Sequence, residues 1–373
     1  MNIPLCIPSI SDAELDQARE ALTSGWLAHG PFNHKFEHAF AEYLGVKHAI
    51  TLNSCTSALF LALKAQDISG EVILPSFTFV ASANAVVTAG ATPVLVDIDY
   101  DTCNILPAAI EAAITPRTEA IMPVHFAGQP CLMDAISEIA SRHGLALIED
   151  SAETLGATFA GRQAGTFGAG CFSFFPTKNL TTGEGGMLTT DNGALAARVR
   201  VLASHGVPKT TYEREKEALP WYRSAVEPGY NFRLSNVLAA VGYAQMGRLD
   251  AMNARRQQLA AAYSARLADI EAIDLPVVHP QATHVYQMYT IKLKQGDRDR
   301  FVQELRKLGV GASVHFDPPV HHSLWYRQQS HPHDLSVTDC VAARIVTLPM
   351  YPDMTEGEVD FVCDCILSVL GNG

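Results

Sequence analysis

Between residues 49 and 150, short apolar runs alternate with stretches of helical spacing, and this order constrains the fold more than any other feature of the chain. The runs at 49–52, 71–75, 92–98 and 120–125 are rich in isoleucine, valine and leucine. Helical patterns occupy 58–66, 81–89 and 134–143. Such an order predicts an α/β fold, a mostly parallel sheet between layers of helices. The run 145–148 closes on Glu149 and Asp150 and suits a parallel strand covered on both faces. In open sheets of this kind ligands bind at the carboxyl ends of strands, so an acid there is a candidate site residue.

A second constraint is a single lysine. Residues 170–186 read Gly-Cys-Phe-Ser-Phe-Phe-Pro-Thr-Lys-Asn-Leu-Thr-Thr-Gly-Glu-Gly-Gly, so Lys178 stands among apolar, hydroxyl and glycine residues. Poor solvation disfavours the charged amine and makes it nucleophilic, able to condense with an aldehyde. Ser173 offers a hydroxyl to an anion, and the following glycines permit a tight turn. Asp150 lies 28 residues upstream. A lysine that holds an aldehyde and an aspartate that keeps a pyridine nitrogen protonated are what pyridoxal 5'-phosphate requires. The turn from 53 to 57, between a strand and a helix, is a ready anion site or a plain helix cap.

Six motifs then carry a family resemblance. They are Asn53-Ser54-Cys55-Thr56-Ser57-Ala58-Leu59, Pro75-Ser76-Phe77-Thr78-Phe79, Pro123-Val124-His125-Phe126-Ala127-Gly128-Gln129, Glu149-Asp150-Ser151-Ala152-Glu153, the stretch from Ser173 to Gly186, and Gly229-Tyr230-Asn231-Phe232-Arg233. In this order they resemble the DegT/DnrJ/StrS-type sugar aminotransferases, a branch of the fold-type I pyridoxal phosphate enzymes, and most of all the perosamine-synthase-like nucleotide-sugar 4-aminotransferases. The resemblance implies a large cofactor-binding domain over 1–245 and a smaller C-terminal α+β domain over 246–373. It implies Lys178 and Asp150 as catalytic residues, and the cofactor phosphate at Ser54, Thr56 and Ser57 with help from Ser173. Phe79 is expected against the ring face. Glu153 stands where most relatives carry glutamine, near the ring oxygen. An ionised carboxylate cannot donate to a phenolate, so Glu153 is expected to be protonated, to share a proton, or to turn away. Asn231 is expected to reach the phosphate bound by a second subunit, which implies a homodimer with shared active sites. On the substrate side the resemblance points to the turn holding Trp26 and the loop holding His321 and His322. His125, at a strand end, is either a cofactor contact or a hydrogen-bonded structural histidine. The implied reaction moves an amino group from an amino acid, expected to be L-glutamate, to a keto group of a nucleotide-linked sugar, at C4 of a 4-keto-6-deoxyhexose. A keto-cyclitol or 3-keto sugar, or a regulator that binds the cofactor without catalysis, is the alternative.

Other classes are disfavoured. The formal net charge of −12 over 373 residues argues against nucleic acid or an anionic membrane as partner. No apolar run reaches the roughly 18 residues of a membrane span, and the first residues lack a signal-peptide pattern. Eight scattered cysteines without a Cys-x-x-Cys fit free thiols in a cytoplasmic enzyme. No Gly-x-Gly-x-x-Gly fingerprint supports a nicotinamide dinucleotide. His321, His322, His331 and His333 lack metal-site spacing, and no metal is expected. A sugar dehydratase of this fold carries histidine in place of the lysine, which Lys178 contradicts. Further along, 206–228 reads as a long polar loop or lid. The stretch 238–270 reads as one long helix, 288–293 and 313–316 as strands, and 299–308 and 355–370 as helices.

Overall fold

The computed structural model describes residues 1–215, 218–219, 221–329 and 332–371. The strands are, in chain order, β1 (His48–Leu52), β2 (Glu71–Pro75), β3 (Thr92–Val96), β4 (Thr118–Ile121), β5 (Ala146–Asp150), β6 (Thr158–Phe159), β7 (Arg162–Gln163), β8 (Ala169–Ser173), β9 (Gly186–Thr190), β10 (Ile273–Asp274), β11 (Tyr289–Leu293) and β12 (Ile345–Leu348). Seven of them form one sheet in the order β1-β9-β8-β5-β4-β2-β3. The pairs β2/β3, β2/β4, β4/β5 and β5/β8 are parallel, while β9 runs antiparallel to both β8 and β1. This is the mostly parallel mixed sheet expected from the alternation.

Helices cover both faces, which is why the strands are apolar throughout instead of alternating. Every residue of β2 is buried. The helix Cys55–Lys64 packs between β8, β9 and the helix Val80–Ala89. It is apolar nearly all round, burying Ala58, Leu59, Leu61, Ala62 and Leu63, as a helix enclosed on most sides must be. Helices Pro107–Ala113 and Met133–His143 close the opposite face around Ile73, Val96, Ile121 and Ile136. A separate antiparallel sheet, β10-β11-β12, packs on Leu249–Leu267 and Glu356–Gly371. Ile3, near the N-terminus, joins this second core and bridges to Val310.

The chain order reverses at β2. From there the chain steps outward to β3 and then crosses to β4 on the other side. Such a switch point opens a crevice at the carboxyl ends of the strands. Parallel pairing sets Asp150 opposite Cys171 in β8, two residues before Ser173.

Several expected elements differ. The single helix over 238–270 is two, Asn236–Met246 and Leu249–Leu267. The break falls at Gly247, a poor helix former, where Arg248 leaves the helical path to reach Glu14 at 2.9 Å and Ser9 at 2.9 Å. Residues 313–316 form no strand. Only Ser313 bridges to Thr347, and Pro318 and Pro319 beyond it offer no N–H to a ladder. The polar stretch 206–228 carries one short helix, Thr211–Arg214, among its described residues. No helix among the described residues is long and apolar enough to cross a membrane.

Candidate active site

A cavity of about 370 Å³ opens at the carboxyl ends of β1, β2, β4, β5 and β8. Its wall brings together Ser54, Thr56, Phe79, His125, Asp150, Glu153, Ser173 and Lys178 from five separate stretches of sequence. Ser57 lies directly behind, its hydroxyl 3.0 Å from that of Ser54.

Asp150 ends β5 and is buried. Ser82 donates its hydroxyl to Oδ2 at 2.7 Å, and the Ala152 N–H donates to Oδ1 at 3.2 Å. Burial pushes this carboxyl above its ordinary value, although the Ser82 and Ala152 bonds pull the other way. Among the described residues no lysine, arginine or histidine forms an ion pair with it. A buried acid with donors but no cation is suited to a positively charged ring nitrogen.

Lys178 follows the turn that ends β8, where its N–H bonds to the Phe175 carbonyl at 2.9 Å. The expectation of purely apolar and hydroxyl surroundings needs correction here. Nζ lies 3.1 Å from Oε1 of Glu153. Both side chains are mostly buried, 16% and 8% exposed, so solvent screens the pair weakly. Glu153 does not turn away from the cavity. Its other oxygen, Oε2, accepts the Ala127 N–H at 2.8 Å.

At the opposite end, Ser54 caps the helix Cys55–Lys64 by accepting the Ser57 N–H at 3.1 Å. The first turn of that helix faces the cavity through Cys55 and Thr56. Gly186 in β9 allows the close approach. A Cβ there would lie 2.4 Å from the Ser54 carbonyl carbon and 2.5 Å from the Cys55 nitrogen. The result is a cradle of backbone N–H groups and hydroxyls at a helix N-terminus, the usual chemistry for a phosphate. A nucleophilic amine, a buried acid and an anion cradle in one cavity fit pyridoxal phosphate.

His125 is fully buried. The Cys131 N–H donates to its Nδ1 at 3.1 Å, so Nε2 carries the proton and donates to Glu149 at 3.2 Å. It therefore braces the wall. Phe79 is at the rim and 61% exposed. Trp26, Asn231, His321 and His322 do not line the cavity. Trp26 packs edge-on against Tyr212 and donates to the His29 carbonyl at 3.0 Å. Asn231 is exposed and accepts from Arg233 Nε at 3.0 Å. His321 and His322 both turn to Asp339. His331 lies outside the described residues.

Other lining residues escaped the sequence reading. Gln287 donates to the Thr177 carbonyl at 2.9 Å, and its buried Oε1 has no partner among the described residues. His315 reaches in from the segment beyond β11, its Nδ1 2.9 Å from Thr347 Oγ1. Burial pushes the His315 imidazole below its usual value, although Glu153 pulls the other way. Ser82 had a local signal in its four-residue spacing from Thr78, whose hydroxyl lies 2.9 Å away. Gln287 and His315 had none.

Comparison with known proteins settles the class. Residues 8–367 match the DegT/DnrJ/EryC1/StrS aminotransferase family. The chain belongs to that family. It is a pyridoxal phosphate-dependent sugar aminotransferase. It is 40% identical over 378 aligned positions to the spore coat polysaccharide biosynthesis protein SpsC of Bacillus subtilis, covering 99% of this chain and 97% of that protein. Among solved structures it resembles the sugar aminotransferase Spr1654 of Streptococcus pneumoniae in its pyridoxal phosphate form, with a TM-score of 0.92 at 26% identity over 100% and 99% of the two chains. It also resembles DesI, solved with its TDP-sugar product, with a TM-score of 0.89 at 33% identity over 99% and 94%.

Proposed function

We propose that this aminotransferase carries an amino group from L-glutamate to the C4 keto group of a nucleotide-linked 4-keto-6-deoxyhexose, in the cytoplasm, for a cell-surface polysaccharide or glycan. The observation that carries the reading is the meeting of Lys178, Asp150 and the Ser54–Ser57 cradle in one cavity. The TDP-sugar product of DesI and the polysaccharide role in the name of SpsC support the choice of acceptor.

Pyridoxal phosphate supplies the aldehyde carbon that carries nitrogen between donor and acceptor, and a ring that takes up the electron pair of the broken C–H bond. Lys178 Nζ takes the proton from the donor's α-carbon and later returns one at the acceptor carbon. Asp150 keeps the ring nitrogen protonated. The first turn of Cys55–Lys64, with Ser54, Thr56, Ser57 and Ser173, holds the phosphate. With the cofactor bound, Glu153 would face the ring oxygen and Phe79 would cover the ring. His125 fixes the wall behind it. In the homodimer Asn231 of each protomer reaches the phosphate held by the other, and Trp26, His321 and His322 belong to the substrate side. The same proposal divides the chain into 1–245 and 246–373. The entry of Met288, His315 and Thr347 into the cavity wall supports a second unit that closes the site.

The test is a coupled assay with L-glutamate over a panel of nucleotide-linked 3-keto and 4-keto sugars and keto-cyclitols, with the products identified by mass spectrometry. Amination of a 4-keto-6-deoxy sugar nucleotide alone is the expected result. Turnover confined to a cyclitol or a 3-keto sugar overturns the substrate. Failure of glutamate to bleach the visible band of the bound cofactor overturns the donor.

A further inference from the structure

Outside the cavity, three side chains converge on one point. His321 and His322 follow one another on the short turn Val320–His322, and Asp339 lies on the helix Ser336–Ala342. Nε2 of His321 is 3.0 Å, and Nε2 of His322 2.8 Å, from the same carboxylate oxygen, Oδ1 of Asp339. The three donor atoms all lie within 4.8 Å of one another.

We propose that His321, His322 and Asp339 form a binding site for a divalent transition cation of the zinc class, with water in the remaining position. Zinc bonds of about 2.0–2.2 Å in a tetrahedron place neighbouring donors about 3.3 Å apart. The two nitrogen–carboxylate separations, 3.0 and 2.8 Å, need to widen by only a few tenths of an ångström, and the two imidazole nitrogens lie within 4.8 Å of each other. Two imidazoles and one carboxylate suit zinc better than magnesium or calcium, which prefer oxygen ligands. His322 and Asp339 are each about half exposed, so the cation has an entry path and room for water. His321 is nearly buried and fixes the inner side.

The protons can be followed. Without metal, each Nε2 carries a hydrogen and donates it to Asp339, and Nδ1 of His321 accepts from the Ser76 hydroxyl at 2.7 Å. On binding, the metal takes both Nε2 lone pairs. The His321 proton moves to Nδ1 and the Ser76 hydroxyl turns to accept it, while the half-exposed His322 passes its Nε2 proton to Nδ1 by exchange with solvent. A hydroxyl serves either role, and such an outer partner is what orients a ligating histidine. Both halves of the site are also held in place. The Val320 N–H bonds to the Ser76 carbonyl at 3.0 Å. Asp97 accepts from the Val337 N–H at 2.9 Å and the Thr338 N–H at 2.7 Å, at the start of the helix that carries Asp339. The bound cation therefore clamps the 320–322 turn to that helix. Through Ser76 it also stiffens the segment that ends at Phe79 on the cavity rim.

The experiment uses cofactor-loaded protein without a purification tag, stripped by a chelator and dialysed. Zinc is titrated by calorimetry and cobalt by its visible d–d absorption. One equivalent should bind, with cobalt bands typical of tetrahedral coordination, and zinc should raise the thermal midpoint. His322→Ala and Asp339→Asn, both at half-exposed positions, should each weaken zinc at least about tenfold and abolish the thermal shift, and Ser76→Ala should weaken it roughly tenfold. Absence of a stoichiometric equivalent overturns the site. So does binding that survives in both His322→Ala and Asp339→Asn, which would place the metal elsewhere, for example on a thiol.

Discussion

Glu149 adjoins the proposed catalytic acid but does other work, and its loss has a cost that the structure lets one estimate. Its side chain is fully buried. Oε1 accepts the N–H groups of Phe167 at 2.7 Å and Gly168 at 3.0 Å, and Oε2 accepts those of Gly165 at 2.8 Å and of the His125 ring at 3.2 Å. One carboxylate thus terminates four donors, two of them buried and two partly buried, from the loop before β8 and the segment after β4. Glu149→Ala would strand all four. At about 1–3 kcal/mol for each of the two buried donors, with a cavity added, the loss is about 4 kcal/mol. That approaches the whole stability of many domains, roughly 5–15 kcal/mol. Glu149→Gln keeps the volume, but its amide NH₂ must face donors that it cannot satisfy. We expect it to cost about 2–4 kcal/mol. Urea unfolding of the cofactor-loaded protein at fixed concentration measures the difference. Cofactor retention on gel filtration should fall with it, because the neighbouring Asp150 shares the displaced strand end. A glutamine variant within about 0.5 kcal/mol of wild type would refute the account of Glu149 as the acceptor that holds this corner together.

Gly186→Ala should lower cofactor affinity at least about tenfold by equilibrium dialysis, because a Cβ 2.4 Å from the Ser54 backbone forces β9 away from the cradle; unchanged affinity would remove Gly186 from the site. Burial alone would raise the Glu37 carboxyl, but His29 and Arg200, the latter at 2.8 Å, bring it down to about 2. Its folded value lies below its unfolded one, so its contribution of about 3 kcal/mol is complete above pH 4.5 and lost as pH falls toward 2. Glu37→Gln should therefore flatten the acid limb of stability, read from urea midpoints between pH 6 and pH 3, and equal acid slopes for the two proteins would contradict this. Asp150→Asn should keep the cofactor but slow turnover by about a hundredfold or more, since an amide cannot balance a ring cation; near-normal kcat would show that the acid lies off the ring. Glu153→Gln should shift the pH titration of the bound cofactor's visible absorbance, and an unmoved midpoint would mean that Glu153 does not touch the chromophore.

The sheet was legible because its strands are short, apolar and separated by helical spacing, a pattern that leaves few alternatives once both faces must be covered. The same logic hid β9. Gly186–Thr190 opens with glycine and ends in two threonines, and it reads as a loop until pairing with β8 and β1 buries all five residues. Arg248 shows a related limit: its partners Glu14 and Ser9 lie more than two hundred positions away, so the helix break at Gly247 had only the glycine as a local sign. In the site, residues on strand ends and the helix cap were legible because their chemistry repeats local rules. Gln287 enters just before β11 and His315 from the segment beyond the helix Arg298–Lys307, and nothing near them in sequence marks them as neighbours of Lys178.

The contact between Lys178 and Glu153 changes what the lysine's activation must mean. From the sequence, dryness alone was expected to make the amine nucleophilic. With a carboxylate 3.1 Å away, the charged amine gains a partner that offsets part of its desolvation. Consuming Nζ in a bond to an aldehyde carbon would leave the Glu153 oxygen with only the Ala127 N–H on its other atom. A buried carboxylate so stripped of its cation must take a proton, find another donor, or move. If the charged amine condensed with an aldehyde, two of its protons would leave with the carbonyl oxygen as water, and the third would be the nearest one to hand. The glutamate that looked like an awkward substitute for an amide would then be the natural acceptor of the lysine's own proton. On this reasoning its neutral form would donate to the ring oxygen as an amide would, and the two expectations for Glu153, protonation and proton sharing, would be successive states of one side chain.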